Sequence, residues 1–133
     1  MFDWDLPLAL ETDLGGFLNS EIRDHFRDYA AVLLDHFEGR IKNWFTIYNP
    51  SGYCLPGYAG NAAPNVTQPQ DGAYICVHNM LLSHAEAYQI FKEKFDSGDS
   101  KMGIILQFWG QRLIKAKAIA LRRLKCSAFD WKT

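Results

Sequence analysis

Asn43-Trp44-Phe45-Thr46-Ile47-Tyr48-Asn49-Pro50 decides how this chain folds. Trp44 to Tyr48 is aromatic and β-branched, short, and bounded by a polar residue before it and a proline soon after. That is the pattern of a strand buried in a parallel sheet. A strand of this kind delivers the polar residue at its end, here Asn49, to the loop beyond it. The connection from Pro50 to Asp71 is rich in Gly, Pro, Asn and Tyr. So long a connection in a compact domain is usually functional or packed on itself.

Working outward, the residues before this strand read as a helix. Asn19 or Ser20 can cap it, and Glu21 stands in its first turn. Ile22, Phe26, Tyr29, Ala30, Leu33 and Phe37 recur at helical spacing, and Gly39 ends the pattern. Its opposite face pairs Asp24 and Asp28 with nearby arginines, as a solvated face does. On the other side, Tyr74 to Phe95 reads as a second long helix with Tyr74, Val77, Leu81, Ala85, Tyr88, Phe91 and Phe95 as its apolar stripe. Met102 to Phe108 is again a continuous apolar strand. Met1 to Leu6 reads as the end of a strand or a loop closed by Pro7, and Leu8-Ala9-Leu10 as a helical turn before the Gly15-Gly16 breaker pair. Strands alternating with long helices argue βαβ units and a parallel sheet, an α/β fold. After Trp109-Gly110 the pattern turns helical and basic, with Arg112, Lys115, Lys117, Arg122, Arg123 and Lys125. This is either a solvated amphipathic face or a surface for anionic lipid or an acidic partner.

Composition sets the bounds. With 133 residues, 48% apolar and 22% charged, the chain is long enough for one globular domain or part of one. A formal charge of -1 gives no global attraction to nucleic acid, which is not expected as a partner. Apolar runs fall far short of the ~18 residues a membrane span needs, so no transmembrane segment is expected. Met1-Phe2-Asp3-Trp4-Asp5 lacks the basic and apolar regions of a secretory signal, which leaves localisation undefined. The three cysteines, Cys54, Cys76 and Cys126, are odd in number and match no metal motif or disulfide framework. They read as small apolar fillers with a free thiol. His25, His36, His78 and His84 lack ligand spacing and read as structural or exposed, so neither a metal nor a cofactor is expected. Asn65-Val66-Thr67 has the glycosylation pattern, which has meaning only in the secretory pathway.

Taken together, Trp4-Asp5-Leu6-Pro7 with Ala9-Leu10, Gly15-Gly16, Phe26-Arg27-Asp28-Tyr29-Ala30, Trp44-Phe45-Thr46, Pro50, Gly57-Tyr58, Ala63-Pro64, His78-Asn79-Met80-Leu81-Leu82 with His84-Ala85, and Gly103-Ile104 carry a resemblance. In that order and at that spacing they resemble glycoside hydrolase family 1, the β-glucosidase family. The likeness is greatest to animal members that include lactase-like and insect myrosinase-like enzymes. It implies a fragment of a (β/α)8 TIM barrel, from the end of the third strand through the fifth. That is about a quarter of the family domain, too little to close a barrel of ~250 residues. The partial barrel is expected over residues 1–108, with 109–133 a divergent basic helical tail. Open strand edges, the first strand and Gly103 to Phe108, then predict self-association.

The chemistry implied by the resemblance is retaining hydrolysis of a β-glucoside or related sugar. One carboxylic acid protonates the leaving oxygen while a second, ~5 Å away, attacks the sugar carbon. In the family the acid/base lies in an Asn-Glu-Pro motif after the fourth strand, and the nucleophile lies near the seventh, beyond the residues present. Trp44, Thr46 and Pro50 fix the register, which puts Asn49 at the acid/base position. Tyr48 stands where the family has a sugar-binding asparagine, and Asp3 where it usually has a sugar-binding histidine. An amide has no proton to lend, and general acid help is typically worth ~10²–10⁴-fold. Asp3, Asp5 and Glu11 do not make a second catalytic pair that the sequence certifies. Asp3 can accept hydrogen bonds from sugar hydroxyls, and Trp4 or Tyr48 can stack on a ring. The leading expectation is a truncated β-glucosidase-like protein without activity of its own. The alternatives are a non-catalytic sugar- or protein-binding module and an incomplete record of a full-length β-glucosidase.

Overall fold

A computed structural model describes residues 1–67, 69–95 and 98–107. Two strands, β1 (Asn43–Tyr48) and β2 (Lys101–Ile105), run parallel. Asn43 is opposite Lys101, Trp44 opposite Met102 and Phe45 opposite Gly103, and the register shifts before Tyr48 meets Ile105. Among the described residues four helices accompany them: α1 (Leu8–Thr12), α2 (Ile22–His36), α3 (Pro50–Ala59) and α4 (Gly72–Phe95), with a short 3-10 turn at Gly16–Leu18. The expected βαβ unit is present, since the chain leaves β1, passes through α3 and α4, and returns in parallel as β2. A parallel return requires such a crossover.

Burial shows which face of β1 meets the helices. Trp44, Thr46 and Ile47 are buried, whereas Phe45 and Tyr48 are exposed. Trp44 packs with Leu34 of α2 and Phe91 of α4. Ile47 belongs to the main core with Phe2, Phe17, Tyr53, Tyr58 and Met80. From α2 the core takes Ile22, Phe26, Ala30 and Leu34, a strict four-residue step. Such a row lies along one stripe of the helix.

Met1 to Leu6, expected as the end of a strand or a loop, makes a single parallel bridge between Phe2 and Ile47 and is otherwise irregular, while other expectations change at this level. Phe2 donates to Thr46 O at 2.8 Å and accepts from Tyr48 N at 3.0 Å. Immediately after, Trp4 takes a left-handed conformation (φ 68) and Asp3 N–H donates to Asp5 Oδ1 at 3.1 Å, which turns the chain out of the ladder. The connection after Pro50 opens with ten residues of helix, α3. Its two glycines and internal Pro56 have poor helix propensity, which the burial of Tyr53, Cys54, Gly57 and Tyr58 overrides. On α2 the expected Ile22, Phe26 and Ala30 are buried, while Tyr29 is 43% exposed and Leu34, outside the expected pattern, is fully buried.

On α4 the expected stripe is displaced more seriously. Tyr74, Leu81 and Tyr88 are exposed, whereas Ala73, Cys76, Met80, Ser83, Ala87 and Phe91 are buried. Small side chains let α4 lie close against α2 and α3, so close approach rather than side-chain size selects the buried face. Cys54 and Cys76 correct another expectation: they are not free fillers but a disulfide joining α3 to α4, with Cα atoms 5.7 Å apart. Met80 Sδ lies 3.6 Å from the Cys54 sulfur. Their separation of 22 residues reveals nothing until both helices are in place. No described helix is long and apolar enough to cross a membrane. Phe108, Cys126 and the basic tail expected at 109–133 lie outside the described residues.

Candidate functional site

The site lies where β1 ends and α3 begins. Asn49 is 3% exposed and holds the left-handed conformation (φ 48, ψ 71), which asparagine tolerates better than most residues. Its backbone N–H donates to Ile105 O at 2.8 Å, tying it to the end of β2. Its side-chain Oδ1 accepts from Gly52 N at 3.1 Å, which caps one of the free N–H groups of α3. Pro50, the first helical residue, fits there because its missing N–H would have had no partner. On the other side of the amide, Nδ2 donates to Gln107 Oε1 at 2.6 Å. Both ends of Asn49 are therefore occupied by the protein.

Gly52 closes over this amide. A Cβ built there would lie 2.1 Å from Asn49 Nδ2 and 3.1 Å from Trp4 Cζ2, so no larger residue fits without displacing both. Trp4 in turn donates its indole N–H to Tyr48 O at 2.9 Å. Its ring centre lies 6.0 Å from that of Tyr48 and 6.5 Å from that of Tyr53. Trp4 and Tyr48 are each nearly half exposed, and Asp3 is exposed beside them. Of the residues expected at the site, Trp4, Tyr48 and Asn49 are thus brought together, with Asp3 on the adjoining backbone.

A cleft of about 410 Å³ continues from Trp4, Gly52 and Tyr53 toward Glu11, Pro56 and Pro64. Glu11 accepts a hydrogen bond from the Tyr58 hydroxyl, with Oε2 at 3.1 Å. Partial burial raises the Glu11 carboxyl above its ordinary range, and the Tyr58 hydrogen bond offsets part of that. Burial, then the neighbouring Tyr53 and Glu11, push the Tyr58 phenol up, so it stays protonated and remains the donor. Glu11 and Asn49 are therefore not a pair of titratable acids. One is a carboxyl whose pKa partial burial raises and the other an amide.

Behind the strand, Thr46 and His84 meet at 2.7 Å between the Thr46 hydroxyl and His84 Nδ1. The Thr46 hydroxyl also reaches Gly103 O at 3.3 Å. If that single proton goes to the carbonyl, His84 Nδ1 must be the protonated ring nitrogen. Burial lowers the His84 imidazole below its ordinary value, so it prefers to be neutral. That is the structural role expected of it. The buried Asn79 amide, on the same helix, donates to Phe17 O at 2.8 Å. Among the described residues no cluster of three His, Cys, Asp or Glu is arranged to hold a metal. Sequence reasoning missed Gln107, whose distance from Asn49 along the chain gives no local signal. The Gly52 contact was legible in principle, because a capping side chain bonds two or three residues ahead.

With this geometry in place, comparison with known proteins gives consistent results. The family model described as glycosyl hydrolase family 1 matches residues 1–118. The chain is 41% identical over 117 residues to the non-cyanogenic beta-glucosidase of Trifolium repens, spanning 80% of this chain and 24% of that protein. Aphid myrosinase superposes with a TM-score of 0.72 at 36% identity, covering 78% of this chain and 22% of that one. The beta-glucosidase from Thermotoga maritima in complex with cyclophellitol superposes with a TM-score of 0.78 at 34% identity, covering 92% and 28%. The chain therefore spans about a quarter of the length of these relatives. The expected fold is borne out: the parallel strands and their helices are a portion of the (β/α)8 barrel.

Proposed function

We propose, from the premise that the chain belongs to glycosyl hydrolase family 1, that it is a β-glucosidase-like protein that recognises a glycoside but does not hydrolyse one by itself. The observation that supports this most is the state of Asn49. At the strand end, where the resemblance implies the acid/base, stands a neutral amide whose Oδ1 caps α3 and whose Nδ2 is bonded to Gln107. It has no proton to give to a leaving oxygen, and retaining hydrolysis needs two carboxyl groups ~5–5.5 Å apart. Glu11, one of the carboxylates weighed as a substitute, accepts a hydrogen bond from the Tyr58 hydroxyl. Incubation of the full chain with aryl β-glucosides is expected to release no more phenol than buffer does. Turnover that disappears on Glu11→Gln or Asp3→Asn would overturn the proposal.

The exposed aromatic pair favours the binding half of this reading. Trp4 and Tyr48 present half-open rings beside the Asp3 carboxylate, a combination suited to stacking on a sugar face and accepting from its hydroxyls. Titration with β-glucosides is expected to change tryptophan emission in the wild type and not in Trp4→Phe. An unchanged wild-type signal up to high sugar concentration refutes it. The same chain is proposed to associate with itself, because among the described residues β2 has one pairing partner and β1 has beyond it only the Phe2 bridge. Sedimentation over a range of concentrations checks this, with a strict monomer as the contrary result.

A further inference from the structure

The segment between α3 and α4 carries a feature that glycoside recognition does not use. Asn65-Val66-Thr67 is the only Asn-X-Ser/Thr tripeptide in the sequence whose middle residue is not proline; Asn49-Pro50-Ser51 fails on that point. Its geometry is specific. Val66 is half-buried against the main core, and its N–H donates to Gly57 O at 2.9 Å. A Cβ on Gly57 would stand 2.9 Å from Pro64 Cδ and 3.0 Å from Ala63 O, so the segment lies directly on α3. With Val66 held inward, Asn65 and Thr67 on either side of it are both exposed. Asn65 has φ 60, a left-handed conformation that asparagine accepts.

A second, independent observation concerns the compartment. The Cys54–Cys76 disulfide encloses this segment, since Asn65 lies between the two cysteines, and both are fully buried. Disulfides form and persist in oxidising compartments and are rare in the cytosol. The secretory pathway is also where oligosaccharide is attached to such asparagines. Two features with no sequence connection to each other therefore call for the same environment.

From this coincidence we infer that Asn65 is a site of N-linked glycosylation. The co-reactant is an oligosaccharide carried on a lipid diphosphate. Asn65 Nδ2 forms a bond to the anomeric carbon as the bond from that carbon to the diphosphate oxygen breaks. The amide proton passes to a base of the transferring enzyme, the lipid diphosphate leaves, and nothing is oxidised or reduced. Thr67 supplies the hydroxyl that completes the acceptor. The folded chain leaves the product in solvent, because Val66 rather than Asn65 is the residue packed inward.

The test is translation of the full chain, fused behind a secretory leader, in the presence of endoplasmic-reticulum vesicles. Only the protease-protected fraction is scored. The protected chain is expected to run as one heavier species, which peptide N-glycosidase returns to its original mobility with Asn65 converted to aspartate. Asn65→Gln and Thr67→Ala each abolish the shift, while Thr67→Ser retains it. A protected wild-type chain that stays unmodified while a control acceptor in the same vesicles is glycosylated overturns the inference. A shift that survives in Asn65→Gln overturns it equally.

Discussion

Asn49 combines three contributions that substitution can separate. Its Oδ1 caps α3, its backbone holds a left-handed conformation, and its Nδ2 bonds Gln107. Losing an asparagine cap to alanine costs ~0.5–2 kcal/mol, whereas glycine at that position costs a few tenths. A Cβ in the left-handed region costs about 1–2 kcal/mol, which asparagine recovers in part through local hydrogen bonding and glycine does not incur. The bond to Gln107 contributes at the low end of about 0.5–1.5 kcal/mol, because Gln107 is exposed and water replaces the lost donor. Asn49→Ala is therefore expected to destabilise by roughly 2–4 kcal/mol, and Asn49→Gly by roughly 0.5–1. Asn49→Asp should stay within about 1 kcal/mol of the wild type. Its carboxylate keeps the cap and gains from the positive end of α3, and the Gln107 amide can reverse to donate to it. Urea unfolding followed by tryptophan fluorescence, extrapolated linearly to water, measures all three. Equal losses for alanine and glycine would refute the backbone contribution. A loss for aspartate as large as that for alanine would refute the cap.

Two further outcomes concern the core. Reduction of Cys54–Cys76, or the double change Cys54→Ala with Cys76→Ala, releases a loop whose ends are 22 residues apart. Chain entropy alone sets the cost at about 3 kcal/mol, read as a lower urea midpoint in the reduced protein, and an unchanged midpoint contradicts it. His84 makes stability depend on pH in one direction. Burial lowers its folded value below the unfolded 6.5, so the folded state binds fewer protons. Its contribution is complete above the unfolded value and is lost as pH falls toward the folded one. The urea midpoint should therefore drop between about pH 7.5 and about pH 5, less so in His84→Gln, and a midpoint that rises on acidification excludes the account.

Where the sequence was informative, composition or spacing marked an element unambiguously. Trp44 to Tyr48 could be read from its short aromatic and β-branched run, and the row Ile22, Phe26, Ala30 from its helical spacing. α4 defeated the same method. Tyr74, Leu81 and Tyr88 form one apolar row and Ala73, Met80, Ala87 another, one residue apart, and residue size favours the wrong row. Only the closeness of α2 and α3 decides between them. α3 was hidden for the opposite reason. Gly52, Pro56 and Gly57 signal a loop, and their service to tertiary contacts (Gly52 under Asn49, Gly57 under Pro64) is invisible without the fold. The places of Tyr48 at the end of β1 and Asn49 just beyond it were legible because flanking residues fixed their register. Gln107 and the Glu11–Tyr58 contact depend on chain segments far apart in sequence and carry no local mark.

The end of β1 makes two demands that need not be met by one side chain. The fold asks for a short acceptor that can occupy the left-handed region and cap a helix opening on proline. Asparagine ranks among the best residues for that, ahead of longer side chains. Retaining chemistry asks instead for a carboxyl with a proton to lend and room for a leaving group. Asn49 meets the first demand fully, and the way it does so works against the second. Its Oδ1 is directed into α3, its Nδ2 is spent on Gln107, and the amide lies against Gly52 where any side chain on that residue would displace it. The amide is thus part of a locally consistent arrangement rather than an acid with one atom changed. This is why the proposed sugar contact falls to Trp4 and Tyr48, which lie outside the bonds of the Asn49 side chain and keep nearly half their surface open.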